Sequence, residues 1–138
     1  MKKLLCVLLI AALLIPMFSA SAVEIQPMSS SYFMSYGVVL GRTDGGKINI
    51  TFTVVGHEKS DVIGVSGYKV QKKVNGSWTD ATNTLAGSLA YDAYNHAFSR
   101  SYAGTPGVEY RVYCTFVCAN SLGTASQAFY SASIIARE

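Results

Sequence analysis

The stretch KINITFTV, residues 47–54, alternates without a break: Ile48, Ile50, Phe52 and Val54 on one side, Lys47, Asn49, Thr51 and Thr53 on the other. A period of two over eight residues predicts a strand buried on one face. Asp44-Gly45-Gly46 before it supplies a tight turn, and residues 32–40 form the partner strand. In GYKVQKKVNGSWTDAT, Asn75-Gly76 separates two strand-like runs. That dipeptide suits a type I′ turn, whose two central residues both need positive φ, so 68–74 and 77–82 are expected to pair as a hairpin. Tyr68 and Val70 then point inward and Lys69, Gln71 and Lys73 outward. Asn75-Gly76-Ser77 also spells a glycosylation sequon, but the turn requirement accounts for the same letters. Residues 85–94 show no clean period and read as a long connection. A short strand (97–102), a turn (AGTPG), a long strand (108–119), a second turn (NSLGT) and a last strand follow. The pattern predicts an all-β domain: a single seven-stranded antiparallel β-sandwich, with turns every 8–12 residues or so.

GYKVQKKVNGSW and GTPGVEYRVYCTFVCANSLGT resemble the C–C′ hairpin and the F strand of a fibronectin type III domain. The likeness implies strands A (32–42), B (47–55), C (67–74), C′ (77–82), E (96–102), F (108–119) and G (124–136). It places Tyr110 at a tyrosine corner, its hydroxyl bonded to backbone in the preceding turn. Strand B carries Phe52 where that family usually has tryptophan, and the lone tryptophan, Trp78, follows the hairpin turn. An immunoglobulin-like sandwich of the same layout is the alternative. The chain as a whole is similar to a group of small secreted proteins of bacteria, a likeness that implies no activity.

The N-terminus changes how the composition reads. Lys2 and Lys3 precede an apolar run over 4–15, and Pro16 and FSASA follow. This is the order of a cleavable secretory peptide, with cutting expected after Ala22. The run is shorter than the roughly 20 residues that span a bilayer, so membrane contact is expected only during export. Residues 1–22 are thus assigned to a signal peptide, 23–31 to a flexible leader and 32–138 to the sandwich domain. Of the 11 basic residues two lie in the signal, so the net charge of +3 falls to +1 without it. With no basic run, nucleic acid is not an expected partner. A released, extracellular protein is expected.

Cys114 and Cys118 look the most chemical. Residues four apart on a strand share a face but lie about 13 Å apart. A disulfide needs Cα atoms within about 7 Å, so the two cannot bridge each other on a regular strand. Strand B holds no cysteine for an inter-sheet bridge, and C-x3-C alone is not a zinc spacing. Alternation puts Tyr110, Val112, Cys114, Phe116 and Cys118 on the inner face, where free cysteine packs as a small hydrophobe. An intermolecular disulfide through Cys118 and a reactive or metal role are the alternatives. His57 with Glu58 and Asp61, and His96 with Asp92, could be drawn as metal or acid–base sites, but solvated loop residues explain them as well. No nucleophile elbow, HExxH pair or phosphate-binding glycine loop is present. No catalytic residue, metal or cofactor is expected.

The nine tyrosines suggest contact surfaces. In a sandwich, strands C, F and G are neighbours, and their outer face would carry Lys69, Gln71, Lys73, Arg111, Tyr113 and Phe129, or Tyr130 in its place. Aromatics among basic side chains suit protein or sugar contact, although cross-strand pairing on a solvated sheet needs the same residues. Tyr91 and Tyr94 form a second candidate on the 85–94 loop. The expectation is a secreted, non-catalytic binding or interaction module for a cell-surface protein or a glycan. The alternatives are a structural component of an extracellular assembly and, more remotely, a small hydrolase.

Overall fold

The structure, a computed structural model, describes residues 31–138. The expected signal peptide and all but the last residue of the leader lie outside the described residues. Seven strands follow in order: β1 (Phe33–Arg42), β2 (Lys47–Val74), β3 (Ser77–Asp80), β4 (Leu85–Ala103), β5 (Glu109–Asn120), β6 (Gly123–Tyr130) and β7 (Ile134–Ile135). A 3-10 turn at Asp44–Gly46 is the one helical element among the described residues. The all-β expectation therefore holds, and every pairing is antiparallel.

The arrangement differs from the expected two separate sheets. All seven strands belong to one hydrogen-bonded sheet in the order β1-β2-β5-β6, with β3 and β4 also on β2 and β7 on β5. The cause is β2. Strands expected as B and C are a single strand of 28 residues. Along one edge β2 pairs with β4 from Lys47 to Tyr68, and along the other it takes β1 and then β5. The pairing of β2 with β4 therefore continues from one half of the sheet to the other, interrupted between Val55 and Ser60.

The sheet curls because β2 bends. At about 3.3 Å per residue a straight strand would hold Phe52 and Tyr68 roughly 50 Å apart. Their ring centroids are 5.1 Å apart. The reversal lies between Val55 and Ser60, where five steps of β2 face only two steps of β4, Asn95 to Ala93. Gly56 starts it: a Cβ there would stand 3.0 Å from the Ser60 hydroxyl and 3.1 Å from the Glu58 carbonyl. Ser60 is buried and donates to the Glu58 carbonyl at 3.2 Å. Glu58 Oε1 in turn accepts from the Ser121 amide (3.2 Å) and hydroxyl (2.5 Å), tying the bend to the β5–β6 turn.

β4 follows the bend. Residues 85–94, expected as a loop, are its first half. No residue of β4 is fully buried, and Asp92 sits at φ 50°, so neither a clean alternation nor an apolar stripe marks this segment in the sequence. The kink brings Ser88 Oγ within 2.8 Å of His96 Nε2. Where β2 and β4 cross most closely, a Cβ on Gly87 would stand 2.0 Å from the Val65 carbonyl oxygen. Glycine is required there to let the backbones meet.

Elsewhere local chemistry matches expectation. Asn75 and Gly76 have φ of 51° and 80°, and Val74 pairs with Ser77, as a two-residue type I′ hairpin requires. β3 stops at Asp80 rather than Thr82. The expected last strand is split into β6 and β7 around Ser131, whose hydroxyl takes the Val112 amide at 2.9 Å in place of a backbone carbonyl. One core fills the concave side, built from Ile48, Ile50, Phe52 and Val54 of one half and Ile63, Val65, Val70, Val112, Cys114 and Phe116 of the other.

Tyr110 closes the end of this core. It is 3% exposed, and its hydroxyl accepts the Thr105 amide at 2.8 Å. Removing one buried partner leaves that amide without its acceptor, so Tyr110→Phe should lose about 1 kcal/mol of unfolding free energy in urea titration. An unchanged midpoint and slope would show that the hydroxyl does not hold the turn.

Candidate functional site

The convex face of β3, β2, β5 and β6 gathers its side chains by register. The two-residue turn after Val74 places Lys73 opposite Trp78 and Gln71 opposite Asp80. On the other side of β2, Gln71 faces Arg111 and Lys69 faces Tyr113, which is itself opposite Tyr130 on β6. A polar chain crosses three strands: Arg111 Nε donates to Gln71 Oε1 (2.8 Å), and Gln71 Nε2 donates to Asp80 Oδ1 (3.0 Å). Lys69 Nζ reaches the other Asp80 oxygen at 3.1 Å. The hydrogen bonds from Gln71, and then from Lys69, hold the Asp80 carboxyl below the usual carboxylate range.

Aromatic rings flank this chain. The Arg111 guanidinium carbon lies 4.4 Å from the Trp78 ring centroid and 4.3 Å from that of Tyr130. Tyr113 and Tyr130 stand 4.8 Å apart. Lys73 Nζ lies 5.6 Å from Trp78 and 4.0 Å from Glu109. Cation–ring contacts of this kind are worth about 0.5–1 kcal/mol each at exposed positions, so together they hold Arg111 in one orientation.

Beside this array the surface is recessed. β2 carries a bulge at Ser66: Val65 faces Phe116 but Gly67 faces Thr115. Such a bulge adds a residue on one strand and re-aims its neighbours. The recess, of about 230 Å³, is lined by Ser66, Lys69, Thr84, Tyr113 and Thr115 among others. A larger and more open depression along 80–84 adjoins it through Lys69 and Thr84.

Five of the six residues expected on the outer face, Lys69, Gln71, Lys73, Arg111 and Tyr113, come together here. Phe129 does not. Its ring packs against Phe116 and Tyr36 on the core side, both at 5.8 Å. Tyr130, 52% exposed, is the outward residue of β6. The β5–β6 register decides it, since Phe129 is opposite the buried Cys114. Trp78 and Asp80 complete the array; the register of the Asn75-Gly76 turn alone would have put Trp78 beside Lys73.

Tyr91 and Tyr94 are well exposed but lie on strand β4 rather than on a loop. Cys114 and Cys118 are free thiols, fully buried. Cys118 has no surface from which to form an intermolecular disulfide; its sulfur lies 3.2 Å from the Ser60 hydroxyl under the bend and 3.6 Å from the Tyr32 carbonyl. Glu58 is engaged by Ser121, and His96 by Ser88. Among the described residues no three His, Cys, Asp or Glu side chains are grouped as metal ligands.

No protein-family model matches the chain, and no curated protein matches it. A crystal structure of a protein from Archaeoglobus fulgidus is similar at 14% identity and a TM-score of 0.42, covering 77% of this chain and 98% of that one. That likeness is too loose to establish a shared fold.

Burial pushes the Cys114 thiol from its ordinary 9.0 up to about 12. It also raises the Tyr68 hydroxyl, partly offset by Arg100, and the Tyr102 hydroxyl, with Tyr110 adding to the rise. The folded chain keeps protons that the unfolded chain releases. This contribution is therefore complete below about pH 9 and lost as the pH climbs towards about 12. Urea midpoints should fall across that window, and less steeply for Cys114→Ala; equal slopes for the two proteins would contradict the assignment.

Proposed function

We propose that the protein is an extracellular, non-catalytic binding module whose contact surface is the convex face centred on Arg111. The observation that carries this reading is the clamping of a cation by two rings beside a recess, on a face whose polar groups are already ordered. A surface fixed before contact loses little side-chain entropy on binding. Tyrosine, tryptophan and arginine are the residues that dominate contact energies. The N-terminal segment, read as an export signal, supports an extracellular setting. A fibronectin type III-like sandwich is proposed for the finer architecture, supported by the Tyr110–Thr105 bond and by the opposed halves of β2.

A second reading is favoured by a different observation. β4 spans 19 residues and pairs only with β2; it has neither lysine nor proline, and its guards are the charges of Asp92 and Arg100 and the kink at Asp92. Natural edge strands usually carry such guards against pairing. A structural component that assembles through this edge is the alternative.

Capture of surface extracts on the immobilised protein separates the two. Tyr113→Ala with Tyr130→Ala should abolish capture while gel filtration shows an unchanged oligomeric state. Undiminished capture would remove the convex face from the function. Concentration-dependent oligomers that Tyr94→Lys dissolves would favour assembly through β4.

A further inference from the structure

We propose that the convex face binds an acidic polysaccharide, with Arg111 taking the carboxylate of a uronic acid unit and the neighbouring tyrosines and recess taking the sugar ring. The inference rests on the reading of this face as the contact surface and names its ligand class.

The first argument is the state of Arg111. Its Nε is committed to Gln71 at 2.8 Å, and its guanidinium is fixed by Trp78 and Tyr130. Among the described residues its two terminal amines donate to no protein acceptor. A planar fork held in place with free donors matches a carboxylate bidentately, a geometry lysine cannot supply.

The second argument is charge. Lys69, Lys73 and Arg111 outnumber Asp80 and Glu109 on this face. Both carboxylates are also already satisfied, Asp80 by Lys69 and Gln71, and Glu109 by the Ser133 hydroxyl at 2.6 Å with Lys73 at 4.0 Å. The excess is cationic, and a polyanion complements it.

The third argument selects sugar over peptide. The recess of about 230 Å³ adjoins the larger, open depression along 80–84, so the two form a surface groove rather than an enclosing pocket. It is edged by the hydroxyl residues Ser66, Thr84 and Thr115, which can exchange hydrogen bonds with sugar hydroxyls in either direction. Tyr113 and Arg111 are successive outward residues of β5, about 6.6 Å apart. Ring and carboxylate of one sugar unit can therefore be held together. An extended peptide would find its backbone partners along a sheet edge, not on this face.

Titration calorimetry with oligogalacturonate, its fully methyl-esterified form and poly-glutamate tests the assignment. Oligogalacturonate should bind, with affinity falling as salt rises, and the ester should bind at least about tenfold more weakly. Arg111→Lys, which keeps the charge but loses the fork, should cost at least about tenfold for the acid alone. Tyr130→Ala, at an exposed position, should weaken acid and ester together and keeps the test open if the Arg111 variant fails to fold. Equal binding of acid and ester would overturn carboxylate recognition while leaving the contact surface in place. Tighter binding of poly-glutamate would assign the face to an acidic protein instead. Acid binding that survives both substitutions, or no binding of any probe, would overturn the proposal. The capture experiment with the Tyr113 and Tyr130 variants judges the surface itself independently.

Discussion

Phe52 meets Tyr68 only because β2 reverses on itself, and every other feature of the molecule is arranged around that contact. A half-buried strand presents one apolar face, which must find a partner. Here the partner is the same strand. Gly56 admits the turn of the chain, Ser60 and Cys118 fill the space beneath it, and Glu58 fastens it to the β5–β6 turn. Because β4 is paired to β2 on both sides of the bend, the two halves are held by hydrogen bonding to a shared neighbour as well as by the core.

Curling one sheet in this way separates two environments. Apolar residues crowd the concave side, so the convex side is left with the polar and aromatic remainder. On β5 the separation is complete: Tyr110, Val112, Cys114, Phe116 and Cys118 are buried, while Arg111, Tyr113 and Thr115 alternate with them at the surface. The convex array is therefore a by-product of strict alternation, but its order is not. The Arg111–Gln71–Asp80 chain and the flanking rings fix side chains that a solvated sheet would leave free.

Strands with one buried face could be read directly from the sequence. The alternation of 47–54 and 108–119, the Asn75-Gly76 turn and the Tyr110 corner needed only local rules. The second half of β4 was legible as a short strand at 97–102, but the first half could not be read this way, because none of its residues is fully buried and the kink at Asp92 breaks the period. The union of B and C into one strand was equally hidden: a bend at a glycine followed by polar residues has the composition of a loop. In the site, Phe129 and Tyr130 could not be ordered from β6 alone. Gly123 begins that strand, few of its residues are large, and only pairing with Cys114 decides which ring faces inward.

The bend also governs how the chain can assemble. The β2–β3 hairpin closes across two residues, whereas the first and last pairs of β2 with β4, Lys47 with Ala103 and Tyr68 with Leu85, enclose loops of very different length. Closing the long loop unaided carries the greater entropy cost. Once Tyr68 and Leu85 are joined, each further pair closes only a small increment. The ladder is therefore cheapest to build from the hairpin end, round the corner at Gly56, towards Lys47. Phe52 can pair early with Val38 across the local β1–β2 hairpin, but its meeting with Tyr68 waits until the ladder has passed that corner, so the corner separates two locally formed hairpins whose apolar faces come together last.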